Sequence, residues 1–287
     1  MRPERGRRVR RRGARVLRWV WFALALLLAL VFAFPLWFMV TSAFKAESEI
    51  MAVPIHWLPH HFQGLAQFRL AWRQSPLGRY LLNSFLVAGA QVAVTVFFGA
   101  LAGFGFAKYR FPLHRTLFFF VISTMMIPFQ ILIIPLFMEV HALGWGNSYA
   151  GLIVPGMMNA FGVFMMRQYA ADLPNELLEA GRVDGAGEFH MFLRIVLPLL
   201  LPALTSLGIL EFIWSWGSFL WPLVVVQSRH MQVLAVGLTD FSQSYSRPPE
   251  WGAAMAASTL ATLPIAVLFA FLQKYFVRGL TAAAVKG

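Results

Sequence analysis

From Trp19 to Phe44 the chain carries no charged side chain. A helix needs about 20 apolar residues to cross the hydrocarbon of a bilayer. The apolar core of a secretory signal is shorter, roughly 7–15 residues. This run therefore predicts an uncleaved membrane span. Five more apolar stretches follow, at about 80–107, 117–138, 149–167, 199–222 and 253–276. Only helices and closed barrels satisfy their backbone groups in lipid. These stretches are too long, and too poor in period-2 alternation, for barrel strands. The expectation is an all-α integral membrane protein with six transmembrane helices.

Composition agrees. Hydrophobic residues make up 59% of the 287, charged residues only 13%, and mean hydropathy is +0.66. So little charge cannot cover a soluble domain of this size. The net charge of +12 reads as topology and contact with anionic lipid, not as nucleic-acid binding. Nine of the 24 Lys and Arg lie in residues 1–18, a basic tail ahead of the six-span domain at 19–287. With the N-terminus in the cytoplasm, eighteen basic residues fall inside and six outside. The outside six are Lys45, Arg69, Arg73, Arg79, Arg229 and Arg247. The positive-inside rule favours that arrangement, with both termini cytoplasmic.

The longest polar interruption is LPNELLEAGRVDGAGEFHMFLRIVLPLLLP, residues 173–202. Asp172 or Leu173 is a candidate cap, and Pro174 suits a first helical position. Glu176 and Glu179 favour the positive end of the helix. Asp184-Gly185 predicts its end, with Gly in the left-handed conformation. A second helix from about Ala186 would present Phe189, Phe192 and Leu193 on one face. The result is a helix–turn–helix elbow between two spans, on the cytoplasmic side. Physics alone allows an ordinary loop or a docking surface.

Glu179-Ala180-Gly181, three residues, Gly185, nine residues and then Ile195-x-Leu197-Pro198 resembles the "EAA" loop of bacterial ABC importer permeases. One anchor departs: Gly181 stands where that family usually has Ala. The run Arg182-Val183-Asp184-Gly185-Ala186 resembles the carbohydrate branch, and in particular the maltose-type second permease. Other matches are Asn83-Ser84, Phe106-Ala107-Lys108-Tyr109-Arg110-Phe111-Pro112, Ile127-Pro128-x-Gln130 with Ile134-Pro135, Trp221-Pro222-Leu223, Met255-Ala256-Ala257-Ser258, and Arg278-Gly279-Leu280-Thr281 with the terminal Ala284-Val285-Lys286-Gly287. Together they cover about 20 to 287. The fifth span departs, because Trp216-Gly217-Ser218-Phe219 lacks the Asn that often follows Trp in the family.

The resemblance implies a permease subunit that imports a sugar or oligosaccharide. Its partners would be cytoplasmic ATP-binding subunits, a second and different permease chain, an extracytoplasmic solute-binding protein and the lipid bilayer of the inner membrane. It implies a coupling loop at about 168–198, with Glu179, Ala180, Gly181, Asp184, Gly185, Ala186, Ile195, Leu197 and Pro198 facing the ATPase. Leu177, Leu178, Phe189 and Phe192 would tie that loop to the spans. It also implies that the loop holding Ser242 to Pro249 reaches the binding protein, and that the tail from Lys274 to Gly287 reaches the ATPase interface.

The residues themselves offer no catalytic constellation, cofactor or metal site. Cysteine is absent, so thiol nucleophiles and thiolate ligands are excluded. There is no phosphate-binding Gly-x-x-x-x-Gly-Lys-Ser/Thr loop, so ATP would be bound by a partner. Candidates for a solute path are the polar residues within spans. Glu211, Ser215 and Ser218 share a helical face. Gln91 and Asn159 join them, with Trp214 and Trp216 as surfaces for sugar rings. A carboxylate at mid-span faces a protein interior or a wet path, or else is protonated. Interhelical hydrogen bonding explains the Ser, Thr and Asn residues equally well. A proton-coupled carrier built on Glu211, or an ABC importer for a non-sugar solute, is the alternative. Pro35, Pro128, Pro135, Pro155, Pro202 and Pro264 lie within spans, as hinges or as static kinks.

Overall fold

A computed structural model describes the backbone over residues 4–241 and 250–284, and side chains over 17–241 and 250–273. All regular structure among the described residues is helical. The helices used below are α1 (Glu4–Ser42), α2 (Leu77–Lys108), α3 (His114–Ser123), α4 (Phe129–Ala142), α5 (Tyr149–Ile153), α6 (Ala160–Ala171), α7 (Asn175–Val183), α8 (Glu188–Met191), α9 (Leu201–Trp216), α10 (Leu220–Val225) and α11 (Trp251–Ala284).

Three apolar helical stretches are long enough to span a membrane unbroken: Leu17–Ser42, Leu77–Lys108 and Trp251–Gln273. Three more spans are bent pairs. His114–Met126 with Phe129–Ala142 bends by 101°, Tyr149–Gly156 with Ala160–Ala171 by 43°, and Glu188–Leu199 with Leu201–Trp216 by 79°. Counting each pair once gives the expected six. The prolines divide evenly. Pro128, Pro155 and Pro202 sit at the three breaks, where the missing N–H interrupts the ladder. Pro35, Pro135 and Pro264 stay inside continuous helices. The stretch expected as one span over 199–222 is not one helix. It turns at Leu200, and α9 ends at Gly217 before α10 begins.

The chain forms two compact units, Met1–Ala71 with Ser244–Thr259 and Trp72–Gln243 with Leu260–Gly287. In the first unit, the segment after α1 folds on charged side chains whose partners are backbone groups. Glu49 accepts the backbone N–H of His60 (3.0 Å) and His61 (2.8 Å). Glu47 accepts those of Trp251 (2.7 Å) and Gly252 (2.8 Å), satisfying free donors at the start of α11. Lys45 is buried, donates to His56 O at 2.7 Å, and lies 4.5 Å from the Phe38 ring centre.

In the second unit α2 is the axle, packed along α6 and α9. At one end Ala100 and Phe104 of α2 share a core with Met166, Leu178, Phe192 and Leu207. Toward the other end Val87 packs with Val140, Leu152, Trp221 and Val225.

Candidate functional site

The elbow forms as the sequence predicts. Pro174 is the N-cap of α7, not its first helical residue. Asp184 is the C-cap, and Gly185 follows at φ +78°. Gly185 N–H donates to Arg182 O (3.0 Å) and Ala186 N–H to Gly181 O (2.9 Å). That pair of bonds is the Schellman motif, which requires a left-handed residue where Gly stands. The second arm continues from α8 through a π-helical turn at Phe192–Val196. The π-turn shifts its inward face, so one expectation needs correcting. Met191, Phe192 and Val196 are buried, whereas Phe189 and Leu193 are exposed. On the first arm Leu178 is buried and Leu177 exposed.

Five of the nine residues expected to face an ATPase are gathered in one place. Gly181, Asp184, Gly185, Ala186 and Ile195 line a notch of about 540 Å³, together with Gly187 and His190. Glu179, Ala180 and Pro198 are exposed outside it, and Leu197 is half-buried. Gly181 is buried, and a Cβ there would lie 2.9 Å from Met191 Sδ. The departure from Ala therefore goes with close packing of the two elbow arms. The residues at Ser242–Pro249, and the side chains of the tail from Lys274, lie outside the described residues.

The second feature is a cavity of about 380 Å³ in the same unit. Its lining includes Gln91, Asn159, Glu211, Trp214, Ser215 and Ser218, six of the seven path candidates. Trp216 is not among them. It is buried, donates Nε1–H to Ala261 O at 3.0 Å, and stacks on Phe212 with ring centres 5.3 Å apart. The helical period separates the two tryptophans: Trp214 lies three residues beyond Glu211, on its face, and Trp216 five beyond, turned away. Phe129, Pro155, Gly156 and Trp221 complete the lining without having been singled out. They belong to the breaks in the third and fourth spans and to α10, which linear periodicity does not bring together.

The cavity exists because two spans are broken. Where the fourth span stops at Pro155, backbone carbonyls lose their helical donors. Gln91 Nε2 donates to Leu152 O (3.1 Å) and Ile153 O (3.3 Å), and Thr95 Oγ1 donates to Met157 O (2.8 Å). Gly156 permits this: a Cβ there would come within 2.5 Å of Gln91 Nε2. The helix restarts on Asn159, whose Oδ1 accepts Gly162 N–H at 2.8 Å. Its Nδ2 donates to Glu211 Oε2 at 2.7 Å. Glu211 is 4% exposed and is the only ionisable side chain among the described residues of the lining. Ser215 Oγ is buried with no protein partner among the described residues. The site therefore offers acceptors and hydroxyls beside the aromatic faces of Phe129, Trp214 and Trp221.

The family described as "Binding-protein-dependent transport system inner membrane component" matches residues 95–282. An arabinooligosaccharides transport system permease protein, AraQ of Bacillus subtilis (strain 168), is 33% identical over 264 residues, 91% of this chain and 93% of that protein. The sn-glycerol-3-phosphate transport system permease protein UgpE of Yersinia pestis bv. Antiqua (strain Antiqua) is 33% identical over 256 residues, 88% of this chain and 91% of that protein. The fold is shared with a crystal structure of a bacterial ABC transporter involved in the import of the acidic polysaccharide alginate. That match has a TM-score of 0.82 at 20% identity and covers 92% of this chain and 98% of that one. The chain is an all-helical, multi-pass membrane protein and belongs to the inner-membrane components of binding-protein-dependent transport systems.

Proposed function

We propose that this chain forms one half of the path by which a neutral sugar or oligosaccharide enters the cell. A solute-binding protein delivers the solute on the outer face. A second, different permease supplies the other half, and separate ATP-binding subunits dock at the elbow and bind all the ATP. The observation that carries the choice of solute is the cavity around Glu211. Both Gln91 amide hydrogens have carbonyls to go to, and Asn159 Nδ2 is committed to Glu211. What remains is rich in acceptors, with no cation among the described residues of the lining. Sugar hydroxyls donate to such groups, and sugar rings pack on aromatic faces. A phosphate or uronate would meet a carboxylate and no counter-charge.

The test is ATP-driven uptake by the complex purified from native membranes, with its own binding protein, in proteoliposomes. Uptake of a neutral oligosaccharide is expected to require internal ATP and to fall at least tenfold in Glu211→Ala, with partial retention in Glu211→Gln. Normal uptake in both variants would remove Glu211 from the path. Uptake driven by a proton gradient without ATP would replace the importer reading with a proton-coupled carrier. The proposed orientation is checked by a single Gly187→Cys substitution in this cysteine-free chain. Labelling from the outer side alone would overturn it.

A further inference from the structure

The segment Phe106–Pro112, one of the matches to the permease family, spans the end of α2. In the structure it is where α2 meets the elbow. Lys108, the last residue of α2, donates from Nζ to Asn175 Oδ1 (2.9 Å), to Leu173 O and to Ala171 O (3.4 Å). One ammonium thus gathers the end of α6 and the start of α7. Tyr109, the C-cap of α2, donates its hydroxyl to Glu188 Oε2 at the start of α8. Glu188 in turn accepts Arg182 Nε–H at 2.8 Å, which joins the second arm of the elbow to the first. The Tyr109 ring stands edge-on to Phe104 at 5.3 Å, and Phe104 stacks on Phe192 at 5.8 Å. Apolar contacts such as these hold two elements together but let them slide or turn. Two directional attachments, one to each arm, also fix the angle.

Helix α2 then runs without a break from Lys108 back to Gln91. At 1.5 Å per residue that is about 26 Å. Gln91 both lines the cavity and holds the carbonyls of the broken fourth span. A turn of the elbow that is clamped to α2 therefore arrives at the cavity wall, through a helix too well bonded to absorb it.

We propose that Lys108 and Tyr109 are the positioning residues that clamp the elbow to α2, so that movement of the elbow becomes movement of the cavity wall. The clamp stays closed through the cycle, and elbow and α2 move as one body. This rests on the importer reading, and the experiment separates the two. The complex is purified from native membranes through this chain and reconstituted with its binding protein, and solute uptake and ATP hydrolysis are read in the same vesicles. Tyr109→Phe and Lys108→Met are each expected to keep the ATPase bound and hydrolysing while solute moved per ATP falls about tenfold. Lys108→Arg, which can donate to the same carbonyls, is expected to restore it. In a Tyr109→Cys, Glu188→Cys chain, bridging the two thiols with a short bifunctional maleimide is expected to raise the ratio back toward wild type.

A ratio that stays at the wild-type value in both single variants overturns the clamp. So does a parallel loss of uptake, hydrolysis and melting temperature, which would mark a merely structural contact. A bridge that stops transport would show that the contact must open, and would also overturn it. If no ATP-hydrolysing subunit accompanies the wild-type chain, the importer reading fails first and the clamp fails with it.

Discussion

The two ends of α2 are anchored by different chemistry. At the Leu77 end the bonds are mostly neutral and closed off from water. Asn83 is fully buried, donates to His230 O (2.9 Å) and Gln232 O (2.8 Å), and accepts the Tyr149 hydroxyl at 2.6 Å. Next to it Ser84 Oγ accepts Leu234 N–H at 2.8 Å. Tyr80, also fully buried, donates to Asp240 at 3.0 Å. At the Lys108 end the bonds use an ammonium, a phenol, a carboxylate and a guanidinium, all half-buried or exposed. Buried amide bonds are costly to leave unmade, so they fix one arrangement. Partly solvated charged groups add little net stability, because water replaces what is lost on unfolding, yet while folded their directional bonds still fix an angle. The first end is built to stay, and the second to transmit a displacement without holding the fold together.

The sharpest way to break that comparison is Asn83→Ala. It leaves two carbonyls and the Tyr149 hydroxyl without their buried partner, at a cost of about 3 kcal/mol. Thermal melting of the purified complex should show a clear drop in midpoint and yield. A midpoint equal to wild type would mean that this end is not the rigid one. By contrast, Tyr109→Phe removes one half-buried hydroxyl and should cost only about 1 kcal/mol in the same assay.

A second test uses pH. Burial first, and then the hydrogen bond to Glu188, push the Tyr109 hydroxyl up to about 12. An unfolded tyrosine titrates near 10. Because the folded value is the higher one, the contribution of this bond is complete below about pH 10. It is lost as pH rises from there through about 12. Transport per ATP should therefore not vary through titration of this phenol between pH 7 and 9. An ultraviolet titration of the complex should lose a tyrosinate component that rises at about pH 12 in Tyr109→Phe. An unchanged difference spectrum would remove the phenol from this contact.

The smallest effect is expected at Gly181→Ala. The change gains about 1 kcal/mol of helix propensity. It also places a Cβ 2.9 Å from Met191 Sδ and 3.2 Å from Ile195 Cδ1, which must give way. The two terms nearly cancel, so the melting midpoint should move by only a degree or two. A large loss would show that the arms of the elbow are packed more rigidly than the flexible Met191 side chain implies.

Much of this was legible in the chain itself. Length and the absence of charge gave the spans, since nothing but a helix carries that many apolar residues through lipid. Asp184-Gly185 marked the elbow's turn, because a left-handed residue ends a helix at low cost only when it is Gly. The spacing of Glu211 and Ser215 put them on one face of α9, and they do line one cavity; Ser218 lines it as well, but from beyond the end of that helix. The same period distinguishes Trp214 from Trp216, and applied to that pair it excludes Trp216 from the lining.

Other features were decided only in three dimensions. Six prolines look alike in sequence, but three mark breaks and three do not. At the fourth-span break, where it is seen, Gln91 and Thr95 from another helix take up the freed carbonyls. The π-turn at Phe192–Val196 rotated the elbow's second arm, burying Met191 and leaving Phe189 outside. Lys108 and Tyr109 appear in the sequence only within a match to the permease family, and α2 brings them against residues more than 60 positions away. Sequence sets which segments are helical and which faces are apolar, because those follow from local sterics and transfer energies. Which helix supplies the missing partner to which is a long-range choice, and only the packed structure makes it.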